Sequence, residues 1–223
     1  MQKFAATTAV STVLDIPAGR IRLIAADRSD ATVEVRPVDA SRSRDVKAAE
    51  ETTVEFRDGV LRIAAAPARS QVLGHSGSVD VTVQLPAGSH VTAIVAAAEF
   101  QGAGPLGDVV FEGAQARVEL EEAASARLTL QSGDISLGRL NGPAEIDTQN
   151  GDITVAEAVR GALTLTTRYG AISVSAAQGV SATLDAGTGY GRIHNALNNT
   201  EGSAAALTIR ATTSYGDITA RSN

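Results

Sequence analysis

The side chains best suited to binding in this sequence are three tyrosines, Tyr169, Tyr190 and Tyr215, each of which immediately precedes a glycine. They are the only tyrosines among 223 residues that include no tryptophan and four phenylalanines. A tyrosine ring offers a large contact area at low entropic cost. If the three positions stack in one column, the rings either shield the turn beside them, which the sequence favours, or form an exposed platform for a sugar or a partner protein.

Candidate metal ligands are scarce. His75, His90 and His194 are isolated, with no second histidine three or four residues away, and we interpret them as surface or loop residues. Asp134 and Asp152 occupy equivalent repeat positions, and two adjacent carboxylates could bind calcium. The glycine-dense nonapeptide of calcium-loaded β-rolls is absent. We therefore expect each carboxylate to accept N–H bonds within its own turn, and we predict no metal and no cofactor.

Catalytic groups are equally difficult to find. The sequence contains no cysteine, which excludes a thiolate nucleophile and disulfides, and it carries no nucleophile elbow, phosphate loop or dinucleotide fingerprint. Acidic residues such as Glu112, Glu119, Glu121 and Glu122 are scattered or form a short charged run. We predict that the protein is not an enzyme. The alternative is a carbohydrate-active β-helix enzyme, a lyase or hydrolase, which would need two carboxylates within about 10 Å in a cleft.

An internal repeat must position these residues. Five copies of one motif occupy residues 132–137, 150–155, 169–174, 190–194 and 215–220. Their glycines, which we expect to form the turn, are Gly133, Gly151, Gly170, Gly191 and Gly216. The glycines are 18 to 25 residues apart, which is near the period of one coil of a β-solenoid.

Aligning the copies on the glycine indicates which side chains point inward. An isoleucine follows each glycine by two positions, and apolar residues precede it by five and seven positions, so the pattern has the period of a β-strand on both sides. Glycine reaches positive φ without steric cost, and an adjacent aspartate can bond nearby backbone groups. Asp134, Asp152 and Asp217, in Gly-Asp-Ile, are therefore predicted to be turn residues.

The first hundred residues are also predicted to form strands, but with a spacing that differs from that of the repeats. Predicted strands span 10–16, 20–25, 32–36, 52–56, 60–64, 79–85 and 90–96, and residues 44–52 have some helical character. We predict an all-β protein: a parallel β-solenoid (β-helix) over residues 101–223, with about two strands per coil of 18–25 residues. The strand-rich section 1–100 is predicted to continue or cap this solenoid, giving one structural unit.

Repeated Gly-Asp-Ile-x-Val turns, preceded by a Leu-Pro-x-Gly-x-Val segment at Leu85–Val91, resemble the bacterial β-strand-repeat family of unknown function often labelled "putative adhesin". The resemblance covers roughly residues 80 to 220 by motif. It implies a parallel β-solenoid. It implies little about activity, because the adhesin label is a fold-level analogy.

Charge and hydropathy restrict the partners. Nineteen basic and 25 acidic residues give a net charge of −6, which disfavours nucleic acid and anionic membranes. No segment reaches the ~20 apolar residues of a membrane span, and the N-terminus lacks the apolar region of a signal peptide. As the sequence stands we expect a cytoplasmic protein, and a cell-surface or extracellular one only if an export segment is missing.

The sequence favours a non-enzymatic scaffold or binding module that acts through its repetitive faces. The last predicted strand ends near Ala220, so the final coil has little chain left to cover its edge. We therefore expect homo-oligomerisation, end to end, through the C-terminal coil, unless residues 194–206 fold over it as a cap.

Overall fold

A computed structural model describes residues 1–65 and 77–223. Its N-terminal elements are β1 (Gln2–Ala5), β2 (Ser11–Ala26), β3 (Asp30–Pro37), α1 (Ser43–Glu51), β4 (Thr53–Arg57), β5 (Val60–Ala64), β6 (Val79–Pro86) and β7 (His90–Ser132). The remaining strands are β8 (Ile135–Leu140), β9 (Ala144–Asn150), β10 (Ile153–Ala158), β11 (Gly161–Tyr169), β12 (Ile172–Ala176), β13 (Ala182–Tyr190), β14 (Ile193–Ala196), β15 (Leu207–Tyr215) and β16 (Ile218–Ser222). A 3₁₀ turn, Gly202–Ala204, precedes β15.

Two parallel ladders contain the repeats. In the first, β8 pairs with the later part of β7 and with β10, followed by β12, β16 and β14. In the second, β9 pairs with the end of β7 and with β11, followed by β15 and β13. The first ladder aligns the motif isoleucines Ile135, Ile153, Ile172, Ile218 and Ile193 in one register. The repeats therefore pair in parallel in a solenoid-like β fold, which confirms the predicted class of fold.

The spatial order of the last repeats differs from their order in the sequence. β15 lies between β11 and β13, and β16 lies between β12 and β14. The final segment of the chain is thus inserted between two repeats that precede it. The expectation that the C-terminal coil is outermost is wrong: β13 and β14 are the terminal strands of the two ladders in the described part of the chain.

A similar insertion occurs near the N-terminus. β2 pairs in parallel with β5 and β6 on one side and with residues 90–103 of β7 on the other. β3 and β1 extend the sheet beyond β6 by antiparallel pairing, and β4 pairs with β5 in the same way. The seven predicted N-terminal strands lie within six, because 10–16 and 20–25 belong to the continuous β2; the helix is present, and β1 was not predicted. β7 runs through residue 100, and the division of the chain there stays a prediction.

The core is a narrow layer of small aliphatic side chains. Along the repeats every second residue is buried, as in the alternating pattern of β9 and β15. Phe100 and Phe111 are the largest fully buried side chains, and their ring centroids are 4.8 Å apart. Along each ladder, hydrogen bonding holds the backbones of neighbouring repeats about 4.8 Å apart, and this close spacing extends to the turns.

Candidate functional site

Each turn between the two ladders is packed against the turn of the neighbouring repeat. A Cβ atom on Gly151 would lie 2.1 Å from the carbonyl oxygen of Gly133, and one on Gly216 would lie 1.9 Å from that of Gly170. At Gly151 the φ angle of 145° also disfavours any other residue. The motif glycines are therefore required by close contact between repeats as well as by the shape of the turn.

The three tyrosines form one column beside these glycines. The ring centroids of Tyr169 and Tyr215 are 5.1 Å apart with an interplanar angle of 9°, and those of Tyr215 and Tyr190 are 5.0 Å apart with an angle of 6°. The order along the column is thus Tyr169, Tyr215, Tyr190, because the C-terminal repeat is inserted. Tyr169 and Tyr215 are 46% and 47% exposed, and Tyr190 is 71% exposed.

The stacking leaves few ring faces accessible. Both faces of Tyr215 are covered by the neighbouring rings, and the guanidinium carbon of Arg168 lies 5.6 Å from the ring centroid of Tyr169. What the column presents to solvent is a row of ring edges about 5 Å apart, together with the outer face of Tyr190.

A ladder of threonines that was not predicted from the sequence lies beneath the tyrosines. Thr167 donates to the carbonyl of Gly151, Thr213 to that of Gly170 and Thr188 to that of Gly216, each at 3.0 Å. Thr148, in the same register, is buried, as are Thr167 and Thr213. The signal was available, since each of these threonines occurs three residues before a motif glycine.

The aspartates connect neighbouring repeats. Asp134 Oδ1 accepts the backbone N–H of Asp152 at 3.0 Å, and Asp152 Oδ1 accepts that of Ala171 at 2.7 Å. The expectation that each carboxylate bonds within its own turn is therefore wrong. The reason is that each N–H lies directly above the carboxylate of the preceding repeat.

Asp217 makes the equivalent contact with the outermost repeat. Its Oδ1 accepts the backbone N–H of Arg192 at 2.8 Å, and its Oδ2 accepts from the Arg192 guanidinium at 2.7 Å. The Arg192 side chain, followed by this backbone bond, holds the pKa of Asp217 below its usual value. The same pair raises the pKa of Arg192.

The histidines are not brought into a metal site. His75 lies outside the described residues, His194 is exposed on β14, and His90 Nδ1 accepts the backbone N–H of Asp108 at 3.1 Å. Across residues 1–65 and 77–223, no group of three or more metal-ligating side chains is arranged to hold an ion. Within the same residues, no helix is long and apolar enough to cross a membrane.

A groove of about 600 Å³ on the outer side of the first ladder is lined by Glu119 and Glu121, two of the acidic residues considered above as catalytic groups. Ile24, Ala103 and Gly138 contribute to its lining. Glu121 Oε2 accepts the backbone N–H of Gly104 at 2.8 Å, and Glu119 Oε2 lies 3.4 Å from the side-chain nitrogen of Gln101. Both carboxylates therefore accept hydrogen bonds from residues of the neighbouring repeat, Gly104 and Gln101.

Comparisons with known proteins give a family and a group of solved structures. The family model described as Toastrack DUF4097 matches residues 3–221. No curated protein sequence matches the chain.

The solved structures similar to this chain are distant in sequence. They include a putative adhesin from Parabacteroides distasonis (17% identity, 98% of this chain and 95% of that chain covered, TM-score 0.49) and one from Bacteroides fragilis (13%, 100% and 95%, 0.48). A putative lipid binding protein from Parabacteroides distasonis is 12% identical over 98% of this chain and 95% of that chain, with a TM-score of 0.45. At these values no residue role is transferred.

Proposed function

This chain belongs to the Toastrack DUF4097 family, a domain of unknown function, and we propose that it is a non-enzymatic binding module whose recognition surface is the tyrosine column. The observation that carries the proposal is the row of three parallel rings, each about half exposed or more, on adjacent strands of a rigid ladder. Exposed aromatic groups held in one orientation lose little entropy on binding.

The geometry favours a protein partner over a carbohydrate. A sugar stacks on the face of an aromatic ring, whereas the faces of Tyr215 are already covered and Tyr169 has Arg168 beside it. A protein surface can contact ring edges and accept hydrogen bonds from the phenolic hydroxyls, as tyrosines do at protein interfaces. The glycine contacts and threonine bonds below fix the spacing of the rings, so the surface is preorganised.

Two finer features belong to the same proposal. We propose that the repeating unit is a coil of two strands joined by a turn at the motif glycine, which places one tyrosine per coil in the last three repeats. The module is also taken to act as a scaffold, since a solenoid exposes the same side chains at regular intervals and offers an extended surface for a partner.

One observation favours a second candidate function, that of a carbohydrate-active enzyme. Glu119 and Glu121 lie two residues apart on one strand and line the same groove, as a carbohydrate-active enzyme would require of a carboxylate pair. Their engagement by Gly104 and Gln101 argues for a structural role. Release of reducing sugar from a polysaccharide panel, abolished by Glu121→Gln, would support the enzyme.

Site-specific photo-crosslinking tests the binding proposal. A photoreactive phenylalanine analogue replaces Tyr190 in the native host, and the matched control replaces the exposed Ile94, which lies on β7 away from the column. We expect a discrete protein adduct from position 190 that is absent from position 94. Adducts of equal yield at both positions, or none at 190, would contradict the proposal.

A triple variant separates binding from stability. Replacing Tyr169, Tyr190 and Tyr215 with serine removes the rings, and replacing all three with phenylalanine keeps the stack but removes the hydroxyls. The proposal expects the serine variant to stay folded and to lose the partner captured by the wild type. If the serine variant instead unfolds, the column serves to shield the turn.

A further inference from the structure

The outermost strands β13 and β14 expose an unpaired edge. Within residues 1–65 and 77–223, β13 pairs only with β15 and β14 pairs only with β16, so each has a neighbour on one side. An unpaired edge presents backbone N–H and C=O groups that can pair with another strand. Ile193 is the register partner of Ile218, and Leu184 is that of Ile209. Because Ile209 and Ile218 belong to the same C-terminal repeat, the two edges lie at the same end of the solenoid-like fold.

The apolar interior is exposed at this end. Ile193 is 46% exposed, whereas Ile218, its register partner one strand further in, is fully buried. Leu184 and Ala186, which occupy the inward positions of β13, are only partly buried. Exposed apolar groups at positions that are buried in every inner repeat indicate a surface that another molecule covers.

The expected cap covers only one corner of this surface. The backbone N–H of Ala182 donates to the carbonyl of Asn198 at 3.0 Å, and the N–H groups of Thr200 and Glu201 donate to Ser181 Oγ at 3.1 Å. These contacts fix the connecting segment against the beginning of β13. They leave the rest of β13 and the edge of β14 accessible.

The charges at this end are already neutralised. Asp185 on β13 pairs with Arg210 at 3.1 Å, and Arg192, which precedes β14, pairs with Asp217 at 2.7 Å. Both partners belong to the inner C-terminal repeat. Two identical ends can therefore approach each other without placing an unpaired charge from these residues against its own copy.

We propose that a second copy of this chain covers the open end, by antiparallel pairing of β13 and β14 with their counterparts across a twofold axis. A twofold axis makes facing edge strands antiparallel and uses the same patch on both copies, which closes the assembly at two. Each copy presents the same two strands and the same exposed apolar residues to the other, as a twofold interface requires. This proposal does not require the tyrosine column to bind a partner, although Tyr190 is the last residue of β13 and adjoins the open end.

The available area predicts a weak dimer. A strand of nine residues such as β13 is about 30 Å long, and two packed layers with their side chains are about 20 Å thick, which gives about 600 Å² per copy. The total of about 1,200 Å² lies at the lower limit of specific interfaces. We therefore expect dissociation in the micromolar range.

Sedimentation analysis of the full chain over about 5 to 500 µM tests the proposal. We expect the mass to rise to that of two copies and no further. Ile193→Lys should weaken the dimer at least about tenfold, because it places two like charges in the interface. Its matched control is Ile94→Lys, which changes a 53% exposed isoleucine elsewhere on the molecule; this variant should dimerise as the wild type does.

At a concentration where the wild type is monomeric, unfolding curves of both variants must coincide with that of the wild type, since each isoleucine is about half exposed. A wild-type chain that stays monomeric throughout would overturn the proposal, as would a mass that grows beyond two copies. Equal weakening by both lysine variants would also overturn it, because the contact would then lie elsewhere. If Ile193→Lys unfolds the protein, Asn195→Lys on the same edge strand provides the test, with the same expected loss.

Discussion

Tyr169 stacks on Tyr215, with ring centroids 5.1 Å apart, although Tyr190 lies between them in the sequence. The contact exists because β15 pairs with β11 on one side and with β13 on the other. Three other interactions follow the same order: the threonine bonds, the glycine contacts and the carboxylate of Asp217 beside Arg192. The insertion of the C-terminal repeat thus determines which residues form the column and which repeat is outermost.

The position of Tyr215 in the middle of the column predicts unequal costs of removal. Tyr215→Ala abolishes two ring contacts and Tyr190→Ala abolishes one, and each contact contributes about 0.5–1.5 kcal/mol. Urea unfolding should show that Tyr215→Ala costs about 1 kcal/mol more than Tyr190→Ala. A larger loss in the free energy of unfolding for Tyr190→Ala would contradict the assignment of Tyr215 to the middle of the column.

The close contact between turns predicts that Gly151 cannot be replaced. Gly151→Ala puts a methyl group against the carbonyl of Gly133, and we expect a loss of about 3 kcal/mol or more in the free energy of unfolding. The matched control is Gly187→Ala on β13, where nothing lies within 4 Å of the added atom. The control should be neutral or stabilising by up to about 1 kcal/mol, because glycine weakens a strand. Equal effects at the two positions would refute the contact.

The buried threonine ladder predicts a specific need for a hydroxyl. Thr167→Val keeps the shape of the side chain but removes the donor to Gly151, so it should cost about 1–2 kcal/mol. Thr164→Val, at an exposed position of the same strand, should change stability by less than about 0.5 kcal/mol. Denaturant unfolding measures both. A neutral Thr167→Val would show that the hydrogen bond contributes nothing.

The ion pair at the open end predicts a local sensitivity to acid. The pKa of Asp217 is lower in the folded protein than its usual 3.8, so its stabilising effect is complete above that pH and is lost as pH falls through the folded value. Exchange of the Arg192 amide proton, corrected for the intrinsic rate, should therefore accelerate below about pH 4. In Asp217→Asn it should be fast at all pH values. An unchanged rate down to pH 2 would contradict the assignment.

Much of the fold follows from local patterns. The alternation around each motif glycine predicts the inward isoleucines, and Ile135, Ile153, Ile172 and Ile218 are buried as expected. The motif glycine predicts the column of tyrosines because Tyr, Gly and Ile keep a constant spacing. These features depend only on the two-residue period of a strand and on turn chemistry.

The order of the repeats could not be predicted in this way. Every repeat presents the same backbone groups and similar inward side chains, so β11 is as compatible with β13 as with β15. The indications were indirect: a long connection at 197–206 and the polar Asn195 at an inward position, which suits an exposed end. The role of the aspartates was also missed, because their N–H donors belong to a neighbouring repeat and no local motif identifies that neighbour.

The binding surface and the open end both depend on β13 being outermost, and pairs of cysteines in this cysteine-free chain test that directly. Thr166 and Thr212 are register partners, as are Gly187 and Thr212, whereas Thr166 and Gly187 are separated by a strand. Adjacent strands bring Cα atoms within disulfide range, and two strand spacings, about 9.6 Å, do not. Oxidation followed by free-thiol counting should show a disulfide in the 166/212 and 187/212 variants and none in 166/187. A disulfide in the 166/187 variant, with free thiols in 166/212, would show that the repeats stack in sequence order and would contradict the account.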